Sequence, residues 1–166
     1  MFQIGDYVVK PVTGVCRVED ILYLNISGAD KDRQYYLLIP MDNAGERIYV
    51  PVDSADTKIR KVMTKEEAEE LIRKVPGIEE TWIKSDKERE YQYKAVLKSG
   101  NPELLVGIIK SLYLRKKRRL ENGKKNTSVD EHYYRQAENQ LYEELGVSLG
   151  KNREEVFQLI ADACGS

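Results

Sequence analysis

The chain has 166 residues, with 27 Lys plus Arg against 28 Asp plus Glu, so its formal net charge is -1. That balance excludes a polycation that coats nucleic acid or membrane without discrimination. Two cysteines (Cys16 and Cys164) and one histidine (His132) exclude a disulfide scaffold and a Cys/His zinc site, and no run approaches the ~18 apolar residues of a membrane span.

Residues 1–62 are rich in Val, Ile, Tyr and turn formers, and read as short strands. Tyr7-Val8-Val9 follows the Gly5-Asp6 turn. Val15, Val18, Ile21 and Leu22 lie in a run opened by Gly14. Tyr35 to Ile39 is a continuous apolar stretch stopped by Pro40. Arg47 to Val50 alternates and meets Pro51, and Lys58 to Val62 alternates again. Segments 25–32 and 42–45 hold the Gly, Asn and Asp that tight turns need. Five short strands in so short a span predict a small SH3/Tudor-like β-barrel, because closure removes sheet edges.

Residues 63–166 are rich in Glu, Lys, Leu and helix-start signals. Thr64 with Glu67 and Ser85 with Glu88 have capping-box spacing. Asn101-Pro102-Glu103 is a cap, a first-turn proline and an acid in order. Ser128 with Glu131 opens a fourth helix and Asn152 with Glu155 a fifth. Apolar residues recur at helical spacing behind each start, as in Leu105, Ile108, Ile109 and Leu112. The expected fold is therefore α+β in two domains: a barrel over 1–62 and a compact bundle of about five helices over 63–166.

Catalytic chemistry is sparse. His132 has no nucleophile in a recognisable motif beside it, and reads as a structural or solvated histidine. Cys16 lies in a strand-like run, where cysteine behaves as a small buried hydrophobe. No phosphate-binding glycine loop occurs, and the carboxylates follow caps and solvated helix faces. No cofactor, metal or enzymatic activity is expected.

The strongest local feature is Arg115-Lys116-Lys117-Arg118-Arg119, followed by Lys124-Lys125. From Lys110 to Lys125 there are eight cations and one acid, Glu121. Part of this density complements the carboxyl end of a helix. The rest reads either as a solvated face or as a phosphate-backbone contact, the reading favoured by so dense a cluster in a neutral protein, with Lys117 and Arg118 expected to point outward beside Lys110 and with Lys124 and Lys125 following. Trp82, the only tryptophan, falls between Pro76-Gly77 and Ser85. It reads either as an anchor between the first two helices or as an exposed wedge of the kind that inserts at a DNA step. Tyrosines are abundant (11 against 2 phenylalanines), and Tyr35, Tyr36 and Tyr49 lie on strands, where they suit half-exposed sheet surfaces and interfaces.

Several of these residues fall in an order that resembles the CarD/CdnL family of bacterial transcription regulators. They are Phe2, Ile4-Gly5-Asp6, Val8-Val9, Pro11 and Gly14, then Val15 to Ile21, Tyr36-Leu37-Leu38 and Val50-Pro51. Trp82, the Tyr93-Lys94 to Ser99-Gly100 stretch and the helix with a basic end continue the likeness. The resemblance implies that the first domain, shared with transcription-repair coupling factors, binds the β subunit of RNA polymerase. It implies that the helical domain contacts promoter DNA, minor groove and phosphate backbone, at the upstream edge of the bubble. There Trp82 is the wedge that slows bubble collapse. In the family an arginine stands two residues before the proline of the Val-Pro pair; here that position is Tyr49, with Arg47 two residues earlier. The polymerase-facing set is thus Arg47, Tyr49 and Pro51, with the role open between Arg47 and Tyr49. The family places basic residues directly after its tryptophan and a tyrosine four positions on; here Trp82 is followed by Ile83-Lys84-Ser85-Asp86 and Tyr93 comes 11 later, which departs from the family's wedge geometry. Lys84 and Arg89 are the phosphate contacts that the resemblance leaves, and His132 falls near the basic residue that the family uses on the next helix.

The expected protein is then a monomer on RNA polymerase, free of membrane, cytoplasmic and nucleoid-associated through the polymerase. Met1 to Lys10 carries no basic region followed by an apolar run, so no secretory signal is expected. The competing class is an RNA- or ribosome-binding adaptor without polymerase contact. The first 62 residues carry 8 basic and 9 acidic side chains, which disfavours direct RNA binding by that domain.

Overall fold

A computed structural model describes residues 1–25, 27–28, 31–80 and 85–163. The chain divides into two compact units, Met1–Val62 and Met63–Ser166.

The first unit is a five-stranded antiparallel sheet in the order β4-β3-β2-β1-β5. Its strands are β1 (Tyr7–Lys10), β2 (Gly14–Tyr23), β3 (Gln34–Pro40), β4 (Ile48–Pro51) and β5 (Arg60–Lys61). The register Val8↔Cys16, Val18↔Leu38 and Tyr36↔Val50 puts these six side chains on one face. With Phe2, Ala55 and Ile59 they make the core. The N-terminus is pinned to that core: Phe2 N–H donates to the Tyr36 hydroxyl at 3.1 Å, and the two rings meet edge to face at 5.6 Å. Cys16 is fully buried.

The expected barrel is corrected here to a sheet that does not close. β4 and β5 sit at opposite edges and do not pair. The run 58–62, read as a full strand, contributes only the two residues of β5. The chain spends Val52–Thr57 in a 3-10 helix before reaching it. A two-residue strand has too few ladder groups to bridge two edges. β2 covers the run opened by Gly14, and its register shifts between Val18 and Asp20 at a bulge.

The second unit holds α1 (Lys65–Lys74), α2 (Asp86–Ser99), α3 (Pro102–Glu121), α4 (Ser128–Leu149) and α5 (Arg153–Ala163). The capping box at α1 is complete: Thr64 Oγ1 accepts from Glu67 N–H and Glu67 Oε1 accepts from Thr64 N–H, each at 3.1 Å. Asn101 Oδ1 accepts from Glu103 and Leu104 N–H at the start of α3. The α4 cap is Thr127, which accepts from Asp130 N–H at 3.1 Å, so Ser128 is the first helical residue rather than the cap. Ala68, Leu71, Val96, Leu105, Ile108, Leu112, Ala137, Leu141, Leu145 and Val156 form the centre of the core. Val129, read as inward, is exposed as the second residue of α4.

The α4–α5 turn depends on two glycines. Gly150 ends α4 at φ +65°, a left-handed cap. At Gly146 a Cβ would lie 2.9 Å from the Lys151 carbonyl oxygen, whose own N–H donates to Gly146 O at 3.0 Å. Only a residue without a side chain lets the returning backbone come so close.

Candidate functional site

In the first unit the site expected from sequence lies on β4. Among the described residues this strand pairs with β3 alone, through Tyr35↔Pro51, Tyr36↔Val50, Leu37↔Tyr49 and Leu38↔Ile48. Its outer side is a sheet edge. Alternation sends Val50 into the core and leaves Tyr49 on the other face, where it is exposed. Arg47, also exposed, directly precedes the strand, and Pro51, half-buried, ends it. The far end of β4 is tied down by Arg33, whose Nε and guanidinium nitrogen donate to Asp53 at 2.8–3.2 Å. That hydrogen-bonded cation holds the Asp53 carboxyl below its ordinary range. Arg47, Tyr49 and Pro51 are therefore brought together on one exposed edge.

In the second unit the structure sorts the basic segment into two groups. Lys110, read as outward-pointing, is half-buried and turned onto the protein: its Nζ donates to the Ile78 carbonyl at 2.8 Å and to that of Val75. Arg115 Nε donates to Asp130 Oδ2 at 2.5 Å, and its guanidinium lies 3.8 Å from Asp86. Arg118 donates to Glu80 at 3.1 Å, and Arg119 Nε to the Lys125 carbonyl at 2.9 Å. Lys116, Lys117, Lys124 and Lys125 are exposed and take no ion pair among the described residues.

Arg89 is ion-paired with Asp86 at the first turn of α2, its side chain largely covered. His132 is exposed on α4, with its ring edge-on to Tyr133 at 5.1 Å. Trp82 and Lys84 lie outside the described residues, as does Cys164.

Sequence reasoning missed the acids that organise this region. Asp130 is buried against Arg115. Its charge adds to burial in pushing the neighbouring Tyr93 hydroxyl up to about 12. Tyr133 stacks tilted on Tyr93 at 5.4 Å and donates to Glu90 Oε1 at 3.1 Å. Burial first, and then that hydrogen bond, raise the Tyr133 pKa. Only a run of opposite charges far apart in sequence announces such pairs, and nothing local marks which acids meet which cations.

Among the described residues no group of His, Cys, Asp and Glu could hold a metal ion, and no helix is long and apolar enough to cross a membrane.

Residues 2–63 match the family model of the CarD-like/TRCF RID domain. The first unit thus carries a domain of the RNA polymerase-interacting class that CarD-like proteins share with TRCF. The residues behind the sequence resemblance in that unit, Phe2 through Val50-Pro51, all fall inside the match. The helical unit lies beyond it. No curated protein matches the chain.

Proposed function

We propose that this protein is a transcription regulator that docks on the RNA polymerase β subunit through its first unit. Its helical unit then holds promoter DNA at the upstream edge of the open bubble. The observation that carries the proposal is the match of residues 2–63 to the CarD-like/TRCF RID domain. The free edge of β4, with Arg47, Tyr49 and Pro51, supports it, because an unpaired strand extends a partner's sheet through backbone hydrogen bonds while alternate side chains select the partner.

On the DNA side, Trp82 acts as the wedge and the exposed lysines meet phosphates. The mechanism is binding without catalysis. A protein with higher affinity for the open complex than for the closed one shifts that equilibrium toward the open state. A net charge of -1 fits a protein delivered to DNA by the polymerase, since the first contact supplies the effective concentration for the second. The protein works as a monomer on the polymerase, in the cytoplasm.

The test is the lifetime of a promoter open complex made with cognate polymerase. Trp82→Ala is expected to shorten that lifetime by about tenfold, the equivalent of ~1.4 kcal/mol of lost differential binding, from a chain that folds and still binds polymerase. An unchanged lifetime removes the wedge role.

A further inference from the structure

Between residues 110 and 125 the chain carries eight cations, and four of them are committed to oxygens of the protein itself. The division follows helix geometry. At about 100° per residue, Lys110, Arg118, Arg115 and Arg119 fall within one half of the α3 circumference, and Lys116 and Lys117 in the other.

The oxygens that the committed side chains reach are not scattered. Lys110 takes the carbonyls of Val75 and Ile78, and Arg118 takes the Glu80 carboxylate. Arg115 lies beside Asp86 while its Nε is anchored on the buried Asp130. These contacts grip both flanks of the α1–α2 connector, residues 75–80 on one side and the start of α2 on the other. The side chain that falls between those flanks in the sequence is Trp82. Arg119 does the same for the α3–α4 turn, holding the Lys125 carbonyl and so fixing the stretch that carries Lys124 and Lys125.

We propose that the basic run does two separate jobs. Lys110, Arg115 and Arg118 are positioning residues that clamp residues 75–80 and the start of α2. Only Lys116, Lys117, Lys124 and Lys125 face a phosphate backbone. The second statement rests on the DNA contact proposed above; the clamp does not. Arg118, which the sequence places among the DNA contacts, moves to the clamp because its guanidinium is already on Glu80.

The test uses the full chain and two readouts. The first is amide hydrogen exchange over residues 75–90 of the free protein. Arg118→Gln is expected to speed exchange there about two- to fivefold, the range for a partly exposed ion pair that holds a local structure closed. The charge-swapped pair Glu80→Arg with Arg118→Glu restores the wild-type rate, which a merely space-filling role does not allow. The second readout is the salt dependence of binding to a forked duplex DNA. Lys117→Gln lowers the slope of log K against log salt by about 0.9 and leaves exchange unchanged, whereas Arg118→Gln leaves the slope unchanged. The clamp is overturned if Arg118→Gln lowers the slope by about 0.9 and exchange over 75–90 stays at the wild-type rate. A wild-type chain that does not bind the forked duplex overturns the phosphate half of the proposal, and exchange still decides the clamp.

Discussion

Tyr93 is buried beside the Arg115–Asp130 pair, and its hydroxyl is pushed up from an ordinary 10 to about 12, by burial first and by the Asp130 charge second. The unfolded chain ionises this group from about pH 10, while the folded chain keeps the proton until about pH 12. The stability tied to the neutral hydroxyl is complete below pH 10 and is lost as pH rises through 12. Tyr134 is also raised to about 12, chiefly by burial, and adds to the same loss. Denaturant midpoints measured between pH 9 and 12 are expected to fall, and Tyr93→Phe to make that fall shallower without abolishing it. An identical fall in wild type and variant removes Tyr93 from the account. None of this environment was legible from Tyr93 itself. Its helical spacing marked an inward face, but the acid beside it comes from α4, 37 positions on. Val12 is a similar case: it adopts φ +73° in the β1–β2 turn, a conformation glycine favours, and the surrounding Pro11-Val12-Thr13 does not announce it.

At the scale of elements, what was local was legible and what was tertiary was not. The start of α3 was readable from three residues because a cap works through its own first turn. Asn101 Oδ1 accepts from Glu103 N–H at 3.0 Å and Leu104 N–H at 3.2 Å. Asn101→Ala is expected to cost about 1 kcal/mol, or roughly 2–4 °C in the melting temperature, measured by thermal unfolding. An unchanged transition means that solvent replaces the cap without loss. The start of α4 was misplaced by one residue because Thr127 and Ser128 are both good caps, and only the observed turn decides between them. Barrel closure is a property of strand pairing across the whole unit. The alternation in 58–62 gave a strand, but only Val8↔Lys61 and Val9↔Arg60 pair. The basic run was visible as a run. Its division into clamp and contact was not, because Glu80, Asp86 and Asp130 come from three other places in the chain.

At the scale of the whole molecule, neutrality is the feature that the charge distribution explains. The first unit has 8 cations against 9 acids, and the helical unit 19 against 19. Half of the basic cluster is engaged internally, Arg115 and Arg118 by carboxylates and Lys110 and Arg119 by backbone carbonyls, and the remainder is four exposed lysines. Four phosphate contacts give weak, salt-sensitive affinity by themselves. Such a surface is effective only when another contact holds the protein in place, and the RNA polymerase-interacting domain over residues 2–63 is the element fitted to supply it. The most direct measurement is therefore retention of purified RNA polymerase by the immobilised full chain, repeated with Tyr49→Ala and Arg47→Ala. The account predicts that polymerase is retained through its β subunit. At least one of the two substitutions is predicted to weaken retention about tenfold, as loss of an interface anchor does. Absence of retention by the wild-type chain, or full retention by both variants, would contradict it.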